Sequence, residues 1–136
     1  MTQTLVDTSV AVPLVLTSHL AHERVNAKVG DRSVDIAAHA ALETYSVLTR
    51  LPGDARLLPA DASQLMQARL GSTIVPDEEV CQGLVTALAD LRIAGGAVYD
   101  ALIAVTAAGV SGILLTRDHR AAATYAALNV TVEFVD

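Results

Sequence analysis

Gly112-Ile113-Leu114-Leu115-Thr116-Arg117-Asp118 decides how this chain is read. A short uncharged run of branched aliphatic residues, opened by a glycine and closed by a charged pair, reads as a strand buried on both faces. Strands of that kind belong to parallel sheets covered by helices, and the flanking sequence supplies the helices. Tyr99–Ala108 is an alanine-rich helix closed by Gly109. His119–Leu128 reads as a last helix with Asn129 as its stop, before a closing strand over Val130–Val135.

The rest of the chain repeats the alternation. Thr4–Asp7 reads as a short buried strand, and Thr8 or Ser9 can cap the helix that follows. Pro13 near its start predicts a late start or a kink. Ser18 is expected to cap a second helix that Gly30 ends. Ser33–Ala37 fits a strand and His39–Leu51 a helix stopped before Pro52. After a loop over Pro52–Pro59, a helix runs from about Asp61 to Leu70, and Thr73–Val75 is a weak strand. Asp77, Glu78 and Glu79 favour the start of a helix that continues to Gly95-Gly96. The fold class is therefore α/β, a single domain over residues 1–136, with a central, mostly parallel sheet covered on both faces.

Composition limits the functions open to such a domain. Apolar residues make up 52% and charged residues 18%, which argues against disorder and for surplus aliphatic surface. That surplus predicts a homodimer, a protein partner, or both. The formal charge of −6 argues against broad electrostatic binding of nucleic acid. Two bound Mg²⁺ would reduce the excess to about −2, with the correction centred on their site. The basic residues are nearly all arginine, with Lys28 the one lysine, a choice suited to bidentate phosphate contacts. A lone Cys81 leaves no internal disulfide and no cysteine-rich zinc site. With no apolar run of membrane-spanning length and no signal-peptide pattern, the expected place is the cytoplasm, without membrane association.

Four carboxylates stand where charge is costly: Asp7 after Leu5-Val6, Glu43 in Ala41-Leu42-Glu43-Thr44-Tyr45, Asp100 opening a nearly uncharged stretch, and Asp118 after the decisive strand. Each has an ordinary explanation. Asp7 and Asp118 can cap helices, Asp100 can sit on a helix dipole, and Glu43 can be solvated beside Arg50. Asp100 nevertheless shares a small apolar face with Ile103, Ala104 and Ala107. Asp7 and Asp118 both fall at the carboxyl edge of the sheet, where α/β folds bind ligands. A divalent cation is the one partner that would explain all four.

Leu5-Val6-Asp7-Thr8-Ser9, then Leu42-Glu43-Thr44-Tyr45-Ser46-Val47-Leu48-Thr49-Arg50, then Tyr99-Asp100-Ala101-Leu102-Ile103-Ala104, then Leu115-Thr116-Arg117-Asp118, in that order, resembles PIN-domain nucleases. More narrowly it resembles the VapC-type toxins of bacterial toxin–antitoxin pairs. The resemblance spans nearly the whole chain. It implies a three-layer α/β/α fold, Mg²⁺- or Mn²⁺-dependent endoribonuclease activity and inhibition by a cognate VapB-type antitoxin. By position, Asp7, Glu43, Asp100 and Asp118 would be the catalytic and metal-holding quartet. Thr116 would be the hydroxyl of a Thr-x-Asp motif, and Thr8 or Ser9 a supporting hydroxyl. Magnesium favours hard oxygen ligands and keeps several waters, so a few carboxylates suffice. Bound metal would acidify a water and offset charge on a phosphodiester.

Arg50, Arg117 and Arg120 neighbour the acids in sequence or on a helix face and are candidate RNA contacts. Few aromatics are available for stacking, so a structured RNA is the expected substrate. Other chemistries fit less well. His19, His22 and Glu23 have helical spacing but lack a second ligand cluster. A haloacid-dehalogenase-like phosphohydrolase would want a second acid where Ser9 stands. A catalytically idle PIN-like interaction module would have no need of four acids.

Overall fold

A computed structural model describes residues 2–136 of the chain. Five strands, β1 (Thr4–Val6), β2 (Asp35–Ala37), β3 (Thr73–Ile74), β4 (Ile113–Thr116) and β5 (Thr131–Phe134), form one sheet in the order β3-β2-β1-β4-β5. Every pairing is parallel. Helices α1 (Thr8–Val15), α2 (His22–Val29), α3 (Ala38–Thr49), α4 (Pro59–Arg69), α5 (Glu78–Asp90), α6 (Ala97–Gly109) and α7 (Ala122–Ala127) fill the connections. This is the expected α/β architecture, with the sheet wholly parallel.

The centre of the sheet holds the residues with nowhere else to go. Leu5, Val6, Leu114 and Leu115 are fully buried, and Leu5 and Val6 stand opposite Leu114 and Leu115 in register. The predicted small face of α6 is buried too: Ile103, Ala104 and Ala107 pack inward with Ala101. Their short side chains let the helix lie close to the sheet, which brings its first turn over the carboxyl edge.

Several local expectations are corrected. Helix α1 starts at once at Thr8 and continues through Pro13, with no late start. Proline at that position cannot donate to the Ser9 carbonyl one turn back. The Ser9 carbonyl instead accepts a long contact, 3.4 Å, from Nη1 of Arg117. Ser18 does not cap α2, which begins at His22 after a turn held by His19. There the Ala21 amide donates to His19 Nδ1 at 3.0 Å, and His22 Nδ1 lies 2.8 Å from the Pro13 carbonyl oxygen. These histidines thus support a turn. Helix α5 ends at Asp90, short of Gly95, because Arg92 takes a left-handed conformation (φ 59°) just beyond it. The last helix is divided into a tight turn at His119–Ala121 and then α7, and left-handed Asn129 (φ 58°) stops it as expected.

Candidate active site

Parallel register sends β1 and β4 out of the same edge of the sheet side by side. Asp7 follows β1, and its backbone N–H donates to the Leu115 carbonyl at 3.2 Å, so the chain direction at Asp7 is set by β4. Asp118 lies two residues past β4. Asp100 sits in the first turn of α6, and Glu43 in the middle of α3. The four acids, 18 residues apart at the nearest in sequence, line one cleft of about 170 Å³ with Thr8, Ser9, Arg120 and Tyr125.

Asp7 occupies the position before α1 but does not cap that helix with its side chain. It is 3% exposed. Oδ1 accepts from the Ser9 hydroxyl at 2.6 Å, while Oδ2 accepts from Thr116 at 2.5 Å and from the Tyr125 phenol at 2.8 Å. Every one of these partners donates, the arrangement an ionised carboxylate requires. Burial pushes the Asp7 carboxyl above its ordinary range, and the three hydroxyls oppose that shift.

The other acids are more open. Asp100 is half-buried, and burial is the main cause that raises its carboxyl, with the charges of Asp118, Asp7 and Glu43 adding and that of Arg120 opposing. Glu43 accepts from Thr8 Oγ1 at 2.8 Å. Its other oxygen lies 3.6 Å from Nε2 of His39, a buried nitrogen with no hydrogen-bond partner among the described residues. Asp118 caps its turn by accepting from the Arg120 amide at 3.0 Å and also pairs with the Arg120 guanidinium at 3.0 Å. Its ordinary role as a cap and its place in the cleft coexist.

Among the arginines of the described residues, Arg120 alone lines the cleft. Arg117 turns back toward the Ser9 backbone, and its amide donates to the Ser9 hydroxyl at 2.8 Å. Arg50 caps the far end of α3 and is exposed, away from the cleft lining. Two features were not anticipated from the sequence. Tyr125 delivers its phenol to Asp7 from α7. Tyr99, beside Asp100, stacks on His39 with ring centroids 5.1 Å apart and planes 6° from parallel. A tyrosine in an alanine-rich helix was the available signal for the first, since a buried phenol needs a partner.

The model of the PIN domain matches residues 4–127, and four acids meet at the carboxyl edge of a parallel sheet. This chain belongs to the PIN-domain family. Within that family it is similar to two proteins of Mycobacterium tuberculosis. It is 46% identical to Ribonuclease VapC27 over 127 residues, 93% of each chain. It is 44% identical to Ribonuclease VapC40 over 130 residues, 95% of this chain and 96% of the relative. Among solved structures, the Rickettsia felis VapBC2 assembly bound to a DNA fragment from its promoter contains a chain of the same fold. That match has a TM-score of 0.68 at 14% identity and covers 98% of both chains.

The PIN-domain site suits a hard cation by its donors, which are carboxylate and hydroxyl oxygens with no sulfur. Among the described residues no three acidic, histidine or cysteine side chains close into a ready-made cage. Magnesium does not need one, because it retains several waters and takes one or two protein carboxylates. The neighbouring acids, which add to burial in raising the Asp100 carboxyl, make the cleft an electrostatic complement of a cation. The residues fit a hydrated Mg²⁺ or Mn²⁺.

Proposed function

We propose that this PIN-domain protein is a divalent-metal-dependent endoribonuclease toxin, restrained by a cognate VapB-type antitoxin. The observation that carries the reading is the convergence of Asp7, Glu43, Asp100 and Asp118 on one cleft, in a chain 46% identical to a ribonuclease. Asp7 and Asp100 are the principal ligands for Mg²⁺ or Mn²⁺, with Glu43 and Asp118 completing the site directly or through water. Bound there, the cation supplies Lewis-acid chemistry, acidifying a water and offsetting phosphodiester charge.

The chain's own residues perform the remaining tasks. Ser9 and Thr116 fix the Asp7 carboxylate, and Thr8 holds Glu43. Arg120, exposed at the mouth of the cleft, is placed to meet a phosphate of the RNA. Few aromatics are available to stack successive bases, so the substrate is structured RNA recognised by shape and cut where a strand is exposed.

Partner binding has separate surfaces. An apolar groove of about 320 Å³ between α3 and α4, lined by Ile36, Leu42, Tyr45, Met66 and Leu70, suits an apolar segment of the antitoxin. Val85, 80% exposed on α5 and outside that groove, belongs to the apolar surface from which a homodimer is expected. No helix among the described residues is long and apolar enough to cross a membrane.

The test is cleavage of total bacterial RNA by wild-type protein and by Asp7→Asn, each with Mn²⁺ and with EDTA. Cleavage confined to wild type with metal supports the proposal. Equal cleavage by both proteins sinks it.

A further inference from the structure

We infer that Tyr125 is a positioning residue for Asp7, holding Oδ2 so that the carboxylate offers the cleft one free acceptor position, on Oδ1. The inference rests on the metal-dependent reading above and deepens it by specifying how the most buried acid meets its ion.

A carboxylate has about four acceptor positions, two on each oxygen. On Asp7, Oδ2 receives Thr116 and Tyr125, and Oδ1 receives Ser9, so three are filled. The hydroxyl directions are themselves fixed. Ser9 Oγ accepts from the Arg117 amide at 2.8 Å, and Thr116 Oγ1 accepts from the Asp118 amide at 3.0 Å. Each therefore has its own proton free to donate to Asp7. The two amides belong to the chain just beyond β4, so both hydroxyls are governed from one side.

Tyr125 acts from a different element. Its ring is 1% exposed within α7, and it lines the cleft with the acids. A packed aromatic ring cannot swing to follow a turning carboxylate, whereas the terminal torsion of an aspartate is soft. The phenol thus determines the plane of Asp7 and blocks the second acceptor position on Oδ2. With Oδ2 taken by two donors, Oδ1 is the oxygen of Asp7 that would be open to a cation. A phenol titrates at about 10 in water, so at neutral pH it carries its proton and donates it to Asp7.

The experiment titrates Mn²⁺ into wild type and Tyr125→Phe by calorimetry, with no RNA present. Groups that orient metal ligands typically account for about 10–100-fold in affinity. A loss of that size, with the melting profile of the metal-free protein still cooperative, supports the inference. Binding by Tyr125→Phe as tight as wild type overturns it, since a purely structural tyrosine would leave metal affinity intact. If Tyr125→Phe does not fold, Tyr125→Met fills the same space without a donor and is read the same way. Wild type that binds no Mn²⁺ overturns the metal reading itself, a result distinct from equal binding by the two proteins.

Discussion

Tyr125 and Asp7, 118 positions apart, meet through a 2.8 Å hydrogen bond from phenol to carboxylate. The bond joins the last helix to the end of the first strand and completes a ring of three hydroxyl donors around one buried acid. Water is excluded from that acid, so the hydroxyls replace the solvation it gave up. The candidate site is thus assembled around a buried carboxylate whose lost solvation the three hydroxyls offset in part, its carboxyl still raised by burial.

Asp7→Asn tests whether that charge matters beyond packing. The amide oxygen of asparagine can still accept from Thr116 and Tyr125, so the circular-dichroism spectrum and cooperative melting are expected to persist. RNA cleavage should fall by at least about 100-fold, the upper end of what even an indirect support of a metal ligand contributes. Undiminished metal-dependent cleavage would remove Asp7 from the chemistry.

Asp100→Asn should stabilise the metal-free protein at neutral pH. Burial and neighbouring acids raise the Asp100 carboxyl in the fold. The unfolded chain therefore releases this proton at lower pH than the folded chain. Stability is lost as pH rises from the ordinary carboxyl range, about 4, through the raised folded value, and the penalty is complete above it. Removing the charge should raise the melting temperature at pH 7 by a few degrees, with the gain disappearing below about pH 4. A melting temperature that drops at pH 7 would contradict the assignment.

Divalent metal should offset the same repulsion. Thermal melts in Mn²⁺ at a hundred times its dissociation constant are expected to show about 2.7 kcal/mol of stabilisation, reversed by EDTA. The Asp7→Asn variant should gain much less. Identical melts with and without metal would argue against a cation site.

Arg120→Ala should weaken RNA binding without disturbing the fold, since the side chain is exposed and its pairing with Asp118 is a surface one. One lost phosphate contact reduces the slope of log affinity against log salt by about 0.7–1. Binding of RNA to the Asp7→Asn background, measured across salt concentrations, reads that slope directly. An unchanged slope would place the phosphate elsewhere.

Gly112→Ala should test how tightly β4 docks. A methyl group there would lie 2.8 Å from Leu5 Cδ1 and 3.1 Å from the Gln3 carbonyl oxygen. The leucine tip can shift, but the strand backbone cannot without spreading β1 from β4. A loss of roughly 1–3 kcal/mol is expected in denaturant melts. Wild-type stability would show that the strands tolerate more separation than their packing indicates.

Within these 136 residues, the sequence by itself determined the parallel α/β class and the four acids. The aliphatic run before Thr116, the glycine ahead of it and the small face of α6 are local patterns, and local patterns set the type of each element. The acids were legible because a charge placed directly against such a run needs a reason. Tertiary structure alone decided that β1 lies beside β4, and with it that Ser9, Thr116 and Tyr125 surround Asp7. It also decided that Arg120 reaches the cleft while Arg50 does not. Hydrogen bonds and charge contacts act over a few ångströms, and which distant residues come that close depends on strand order and helix packing, which no single stretch of chain encodes.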